Sequence, residues 1–105
     1  MASGILGQSA PAAATNTTVY TVPGSGTSRA VFNVSMVNTS GAPVTVRLAI
    51  AASGTPSTAE YIEYDTVLPG NGVLERGGLV AQTGKIVVAY SSAATVSVSV
   101  YGYEE

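Results

Sequence analysis

The chain has 105 residues with four basic and six acidic side chains, a net charge of −2, and no histidine, cysteine or tryptophan. That composition rules out a disulfide or thiolate-metal framework. The four dispersed cations, Arg29, Arg47, Arg76 and Lys85, lack the clustering that holds a phosphate backbone or an anionic membrane surface, so neither nucleic acid nor membrane is expected as a partner.

The length fits one domain with one modest core. A mean hydropathy of +0.34 is high for a domain that stays in water, so part of the apolar surface is expected to meet other proteins. No apolar run approaches the roughly 18 residues of a membrane span. No basic segment precedes Ile5-Leu6, so a secretory signal is not expected.

Residues Met1 to Asn16 are mostly Ala, Ser, Gly and Thr, a composition that packs poorly in a strand. They read as an extended N-terminal arm that docks on a neighbour through Ile5 and Leu6. At about 3.3 Å per residue it could reach roughly 53 Å, several times the radius of a domain this size. Residues 17–105 form the domain proper.

Thr17 to Val22 is the first expected strand, closed by the turn cluster Pro23-Gly-Ser-Gly26. Arg29 to Asn38 follows, with Phe32, Val34 and Met36 on one face and Val31, Asn33, Ser35 and Val37 on the other. Asn38 to Pro43 reads as a hairpin loop. Val44, Val46, Leu48 and Ile50 then alternate with Thr45, Arg47 and Ala49 through Ala51.

After a loop from Ala52 to Ala59, Glu60 to Leu68 places Ile62, Tyr64 and Leu68 on one side and reads as an edge strand, its charges discouraging strand addition. Pro69-Gly-Asn-Gly72 turns the chain into Val73 to Val80, where Gly77-Gly78 marks a bulge or bend. Lys85 to Ser91 and Thr95 to Tyr103 complete seven strands. The last alternates most plainly, with Val96, Val98 and Val100 opposite Ser97, Ser99 and Tyr101.

Seven strands and no credible helix predict an all-β fold, a single antiparallel β-sandwich of immunoglobulin-like or jelly-roll-like order. Two apolar sheet faces must cover one another.

Residues able to carry chemistry are few. Glu60, Glu63 and Asp65 are the densest carboxylates, but strand alternation sends Glu60 to the face opposite the other two, and they read as a solvated edge. A serine or threonine nucleophile needs a base; without histidine it would have to be a carboxylate or Lys85, which follows a turn and reads as facing water, so a hydrolase is not expected. The glycines of Gly24-Ser-Gly26 and Gly70-Asn-Gly72 read as turn residues, since phosphate loops of this kind open a helix. Asn16, Asn33 and Asn38 begin glycosylation triplets, a pattern common by chance. No enzyme activity, metal or cofactor is expected. The six tyrosines all fall on expected strands, and Tyr101 with Tyr103 share a face suited to stacking on another subunit or a sugar ring.

Met-Ala-Ser-Gly-Ile-Leu-Gly7, Ala14 to Pro23, Tyr61-Ile-Glu-Tyr-Asp-Thr66, Asn71 to Arg76 and the terminal Val-Tyr-Gly-Tyr-Glu together resemble small virion structural proteins of tailed bacteriophages, particularly phages of aquatic bacteria such as cyanobacteria. The resemblance spans nearly the whole chain and its motifs are structural, so it transfers no functional residue. It implies a virion protein assembled in the host cytoplasm, either a capsid decoration (cement) protein or a tail, baseplate or fibre component. The major capsid protein or another virion protein would be its partner, and homo-oligomers, a trimer among them, fit the local threefold positions of a shell. A carbohydrate-binding module using Tyr101 and Tyr103 is the third reading. The expected interface residues are Ile5, Leu6, Tyr101 and Tyr103.

Overall fold

The computed structural model describes residues 2–105. Among them, eight strands form two four-stranded antiparallel sheets: β1 (Ser3–Ser9), β2 (Thr17–Thr21), β3 (Arg29–Asn38), β4 (Val44–Ala51), β5 (Tyr61–Leu68), β6 (Val73–Gln82), β7 (Ile86–Ser91) and β8 (Val96–Glu104). A three-residue 3-10 turn at Thr58–Glu60 precedes β5.

One sheet runs β1-β8-β3-β6 and the other β2-β7-β4-β5. The pairs β1·β8, β2·β7, β3·β6 and β4·β5 are nested, like the two arms of one long hairpin. Bonds of β3 to β8 and of β4 to β7 roll that ribbon into two layers. This is the jelly-roll order, and it decides between the two topologies the sequence left open.

Three sequence expectations change. Ser3–Ser9 does not project as an arm: it is an edge strand, Ile5 facing Tyr101 and Ser9 facing Val98, which raises the strand count from seven to eight. Met1, the first residue of the expected arm, lies outside the described residues. The strand docks because Leu6 packs on the core and Gly7 lets two backbones meet: a Cβ there would lie 2.2 Å from the Val19 carbonyl oxygen.

Asn38 to Pro43 is not a hairpin loop either. It carries the chain from one sheet to the other, and of the strands consecutive in sequence only β4 and β5 pair. The third change is a bulge in β5. Val46 faces Thr66 and Leu48 faces Glu63, so Tyr64 and Asp65 together oppose Arg47. A second shift follows, Ala49 facing Tyr61, and between them the two send Tyr64 away from the side of Ile62 and Leu68 to the outer surface, where it is more than half exposed.

The interior is the alternation of the strands made three-dimensional. Phe32, Val34 and Met36 of β3, Val46 and Leu48 of β4, and Val96, Val98 and Val100 of β8 are buried between the sheets. Each such side chain contributes on the order of 1.5–3 kcal/mol by leaving water. Tyr20 enters from β2 and meets Phe32 edge-on at 6.4 Å. The Gly77-Gly78 bulge forms as expected: both residues oppose Asn33, Gly78 adopts φ +69°, and its N–H donates to Asn33 Oδ1 at 3.2 Å.

Polar groups close the openings. At one end Asn38 is fully buried, and its Nδ2 donates to the carbonyls of Ala42 and Pro69 at 2.7 and 3.1 Å. Its Oδ1 accepts from Ser40 N–H and Thr95 Oγ1, so one side chain ties the β3–β4, β5–β6 and β7–β8 connections. The Asn38 triplet is thus an internal fastening with no exposed amide.

Along one flank Tyr20 Oη donates to Glu104 Oε2 at 2.6 Å, from β2 to β8. Along the other, Arg76 of β6 pairs with Glu63 of β5 and donates to the Ile62 carbonyl at 3.0 Å. Both fastenings bridge the two sheets.

Candidate functional site

The outer face of the β1-β8-β3-β6 sheet is ordered in cross-strand rows. Tyr103 stands between Ser3 and Val31, and Val31 faces Val80. In the next row Ile5 faces Tyr101, which faces Asn33. Then comes a polar belt of Gln8, Ser99, Ser35 and Glu75, followed by Ser97, Val37 and Val73. Alternation puts these side chains opposite the buried valines.

Ile5 is 58% exposed, Val80 57% and Tyr103 47%. Tyr101 is steadied by donating its hydroxyl to Glu75 Oε2 at 3.1 Å, which also pushes its phenol pKa up. The structure brings Ile5, Tyr101 and Tyr103 onto one outer face. It removes Leu6 from that set, because adjacent residues of a strand leave opposite faces and Leu6 packs inward.

The three carboxylates do not converge. Glu60 accepts from the backbone N–H groups of Ser57 and Ala52 at 2.8 and 2.9 Å, which hold its pKa below the usual carboxylate value. Glu63 accepts from Thr66 Oγ1 at 2.7 Å and pairs with Arg76, and these contacts lower its pKa in that order. Asp65 takes Arg47 Nε at 2.6 Å and Nη2 at 3.3 Å. They sit on or beside the edge strand β5, as expected, and each makes its own separate attachment. Among the described residues no group of three or more acidic, His or Cys side chains is placed to hold a metal ion, and no helix is long and apolar enough to cross a membrane.

On the outer face of the other sheet is a cluster the sequence did not reveal. The Arg47 guanidinium lies 4.2 Å from the centre of the Tyr64 ring and 4.4 Å from that of Tyr90. Tyr61 meets Tyr64 at 4.8 Å with the rings 80° apart. The bulge makes this possible, since it points Tyr64 and Asp65 at the same arginine with Asp65 at φ +52°.

Beneath Tyr61 a small satellite core of Ala49, Ala51 and Val88 is buried on the outer side of the sheet. Beside the rings is an open hollow of about 570 Å³ lined by Pro56, Thr58, Tyr61 and Tyr64. The available sequence signal was three tyrosines and an arginine on neighbouring strands; the bulge that assembles them leaves no mark in an alternation pattern.

No protein-family model, no curated protein and no solved structure matches this chain.

Proposed function

We propose that the protein is a structural subunit of a bacteriophage particle, a decoration (cement) protein that braces the head shell by adhering to the major capsid protein or another virion protein. It acts in virions assembled in the host cytoplasm, by contact and without turnover, cofactor, nucleic acid or membrane. The observation that carries the reading is the outer face of the β1-β8-β3-β6 sheet, where Ile5, Tyr101, Tyr103, Val31 and Val80 adjoin in cross-strand rows. Exposed apolar rows of this kind are what a protein partner covers.

Two further features support it. The resemblance to virion proteins runs through segments that build both sheets. The free margin of β1 is a sheet edge, whose unpaired backbone groups suit strand addition by a neighbour. Contacts of modest individual strength, repeated around a shell or within a trimer at its threefold positions, sum through multivalency.

Purified protein added to heads stripped of it is expected to rebind and raise their resistance to heat. Ile5→Asp and Tyr103→Asp put a charge into the apolar rows without touching the core. They are expected to abolish rebinding while leaving the circular dichroism spectrum unchanged. Rebinding by both variants at wild-type affinity would sink the reading. Retention of the native protein with purified tails instead of heads would transfer it to the alternative, a tail, baseplate or fibre component.

A further inference from the structure

The hollow beside Tyr64 is more highly organised than packing requires. Its rim, the connection from Ala52 to Glu60, is locked from within: the Glu60 carboxylate accepts from the N–H groups of both Ala52 and Ser57, and Ser53 Oγ donates to the Thr55 carbonyl at 3.2 Å. Its wall is locked from beneath, because Arg47 is stacked between Tyr64 and Tyr90 and gripped at two points by Asp65. Tyr64 nevertheless remains 55% exposed.

The stack also depends on a left-handed backbone at Asp65, a conformation that is uncommon outside glycine, asparagine and aspartate. None of this adds to the core between the sheets. A wall and rim fixed in advance reduce the ordering cost of binding a ligand.

The chemistry of the hollow selects among ligands. Arg47 is neutralised by Asp65, and Glu60 is occupied by backbone donors, so the site is suited to neither an anion nor a cation. A nucleobase would stack on tyrosine, but its phosphates would meet a chain of net charge −2 with four basic residues. Tyrosine rings beside a proline and the Thr58 hydroxyl suit a ring with an apolar C–H face and a hydroxylated rim. The volume of about 570 Å³ lies within the range of small-ligand sites.

We propose that this hollow binds a neutral sugar. A pyranose ring lies against Tyr64 and Tyr61, and its hydroxyl groups bond with Thr58 and the tyrosine hydroxyls. The site is on the sheet opposite the proposed assembly face, so it stands or falls independently of that reading.

The test is titration of the purified, isotopically labelled protein with the methyl glycosides of glucose, galactose, mannose, rhamnose and N-acetylglucosamine, followed by amide NMR, with the same sugars as immobilised oligosaccharides. At least one is expected to bind, moving signals from residues 56–64 together with Arg47 and Tyr90. Tyr64→Ala is expected to weaken binding about tenfold or more, Tyr64→Phe to retain most of it, and Tyr101→Ala to leave it unchanged. Tyr64 is surface-exposed, and an unaltered spectrum elsewhere verifies the fold of the variant. The proposal is overturned if none of these sugars binds, if folded Tyr64→Ala binds like wild type, if Tyr101→Ala loses binding equally, or if phosphorylated glycans are preferred over neutral ones.

Discussion

The Asn38 knot and the Arg47 stack are built alike and placed oppositely. In each, one polar side chain gathers several partners from different strands. Asn38 has no exposed surface, and every partner it holds belongs to the fold. Arg47 lies on an outer face, where one of its partners, Tyr64, lines a hollow open to solvent. A buried group left unpaired suffers the full loss of its solvation, whereas water can replace a partner at the surface. The first cluster therefore serves stability, and the second arranges a surface.

Asn38→Ala should break the first cluster most severely. It leaves the Ala42 and Pro69 carbonyls and the Thr95 hydroxyl without their partner, with an expected loss of roughly 2–4 kcal/mol in urea unfolding. A loss below about 0.5 kcal/mol, the range of ordinary surface changes, would remove the distinction between the clusters.

Titration tests the fastenings on the two flanks. Glu63 is held below its ordinary pKa by the Thr66 hydroxyl and then Arg76, and Glu104 by the Tyr20 hydroxyl and the Ala2 N–H. A carboxylate whose folded pKa is depressed stabilises the fold above its unfolded value of about 4.3, and that contribution is lost as pH falls through the folded value. Tyr20 shifts the other way: burial, then its bond to Glu104, pushes its phenol up. Its contribution is complete below the unfolded value of about 10 and is lost as pH rises from there through the higher folded value.

Urea midpoints are therefore expected to be level from about pH 5 to 9 and to fall on both sides. Tyr20→Phe should flatten the alkaline fall and leave most of the acid one. An alkaline fall as steep in Tyr20→Phe as in wild type would refute the assignment.

The smallest effect on stability is expected from Arg47→Ala. A melting temperature lowered less than in Asn38→Ala, combined with altered signals from Tyr61, Tyr64 and Tyr90, would sharpen the contrast. A drop as large as that of Asn38→Ala would erase it.

Much of this fold was legible in the order of residues. The valines of β8, the apolar face of β3 and the bulge at Gly77-Gly78 all lie where alternation and glycine placement put them. Ser3–Ser9 was not legible as a strand. Its single inward anchor, Leu6, is too little for an apolar pattern, and its pairing with β8 joins opposite ends of the chain. Of the expected interface, Ile5, Tyr101 and Tyr103 come together because strand parity brings them to one face, which also sends Leu6 the other way. The Arg47 cluster stayed hidden because alternation placed Tyr64 on the side of Ile62 and Leu68, and two register shifts in β5 turned it outward.

Sequence alone determined that this is a β protein, which faces of β3 and β8 are hidden between its layers, and that histidine and thiol chemistry are closed to it. Those properties follow from side-chain type and a period of two. Tertiary structure decided which strands pair, where Ser3–Ser9 lies, and which polar residues serve inside and which outside. Turn residues cause the chain to reverse without naming its next neighbour, and a bulge changes the face of every residue beyond it. The jelly-roll nesting, the Asn38 knot and the tyrosine wall are each products of contacts between segments far apart in the chain.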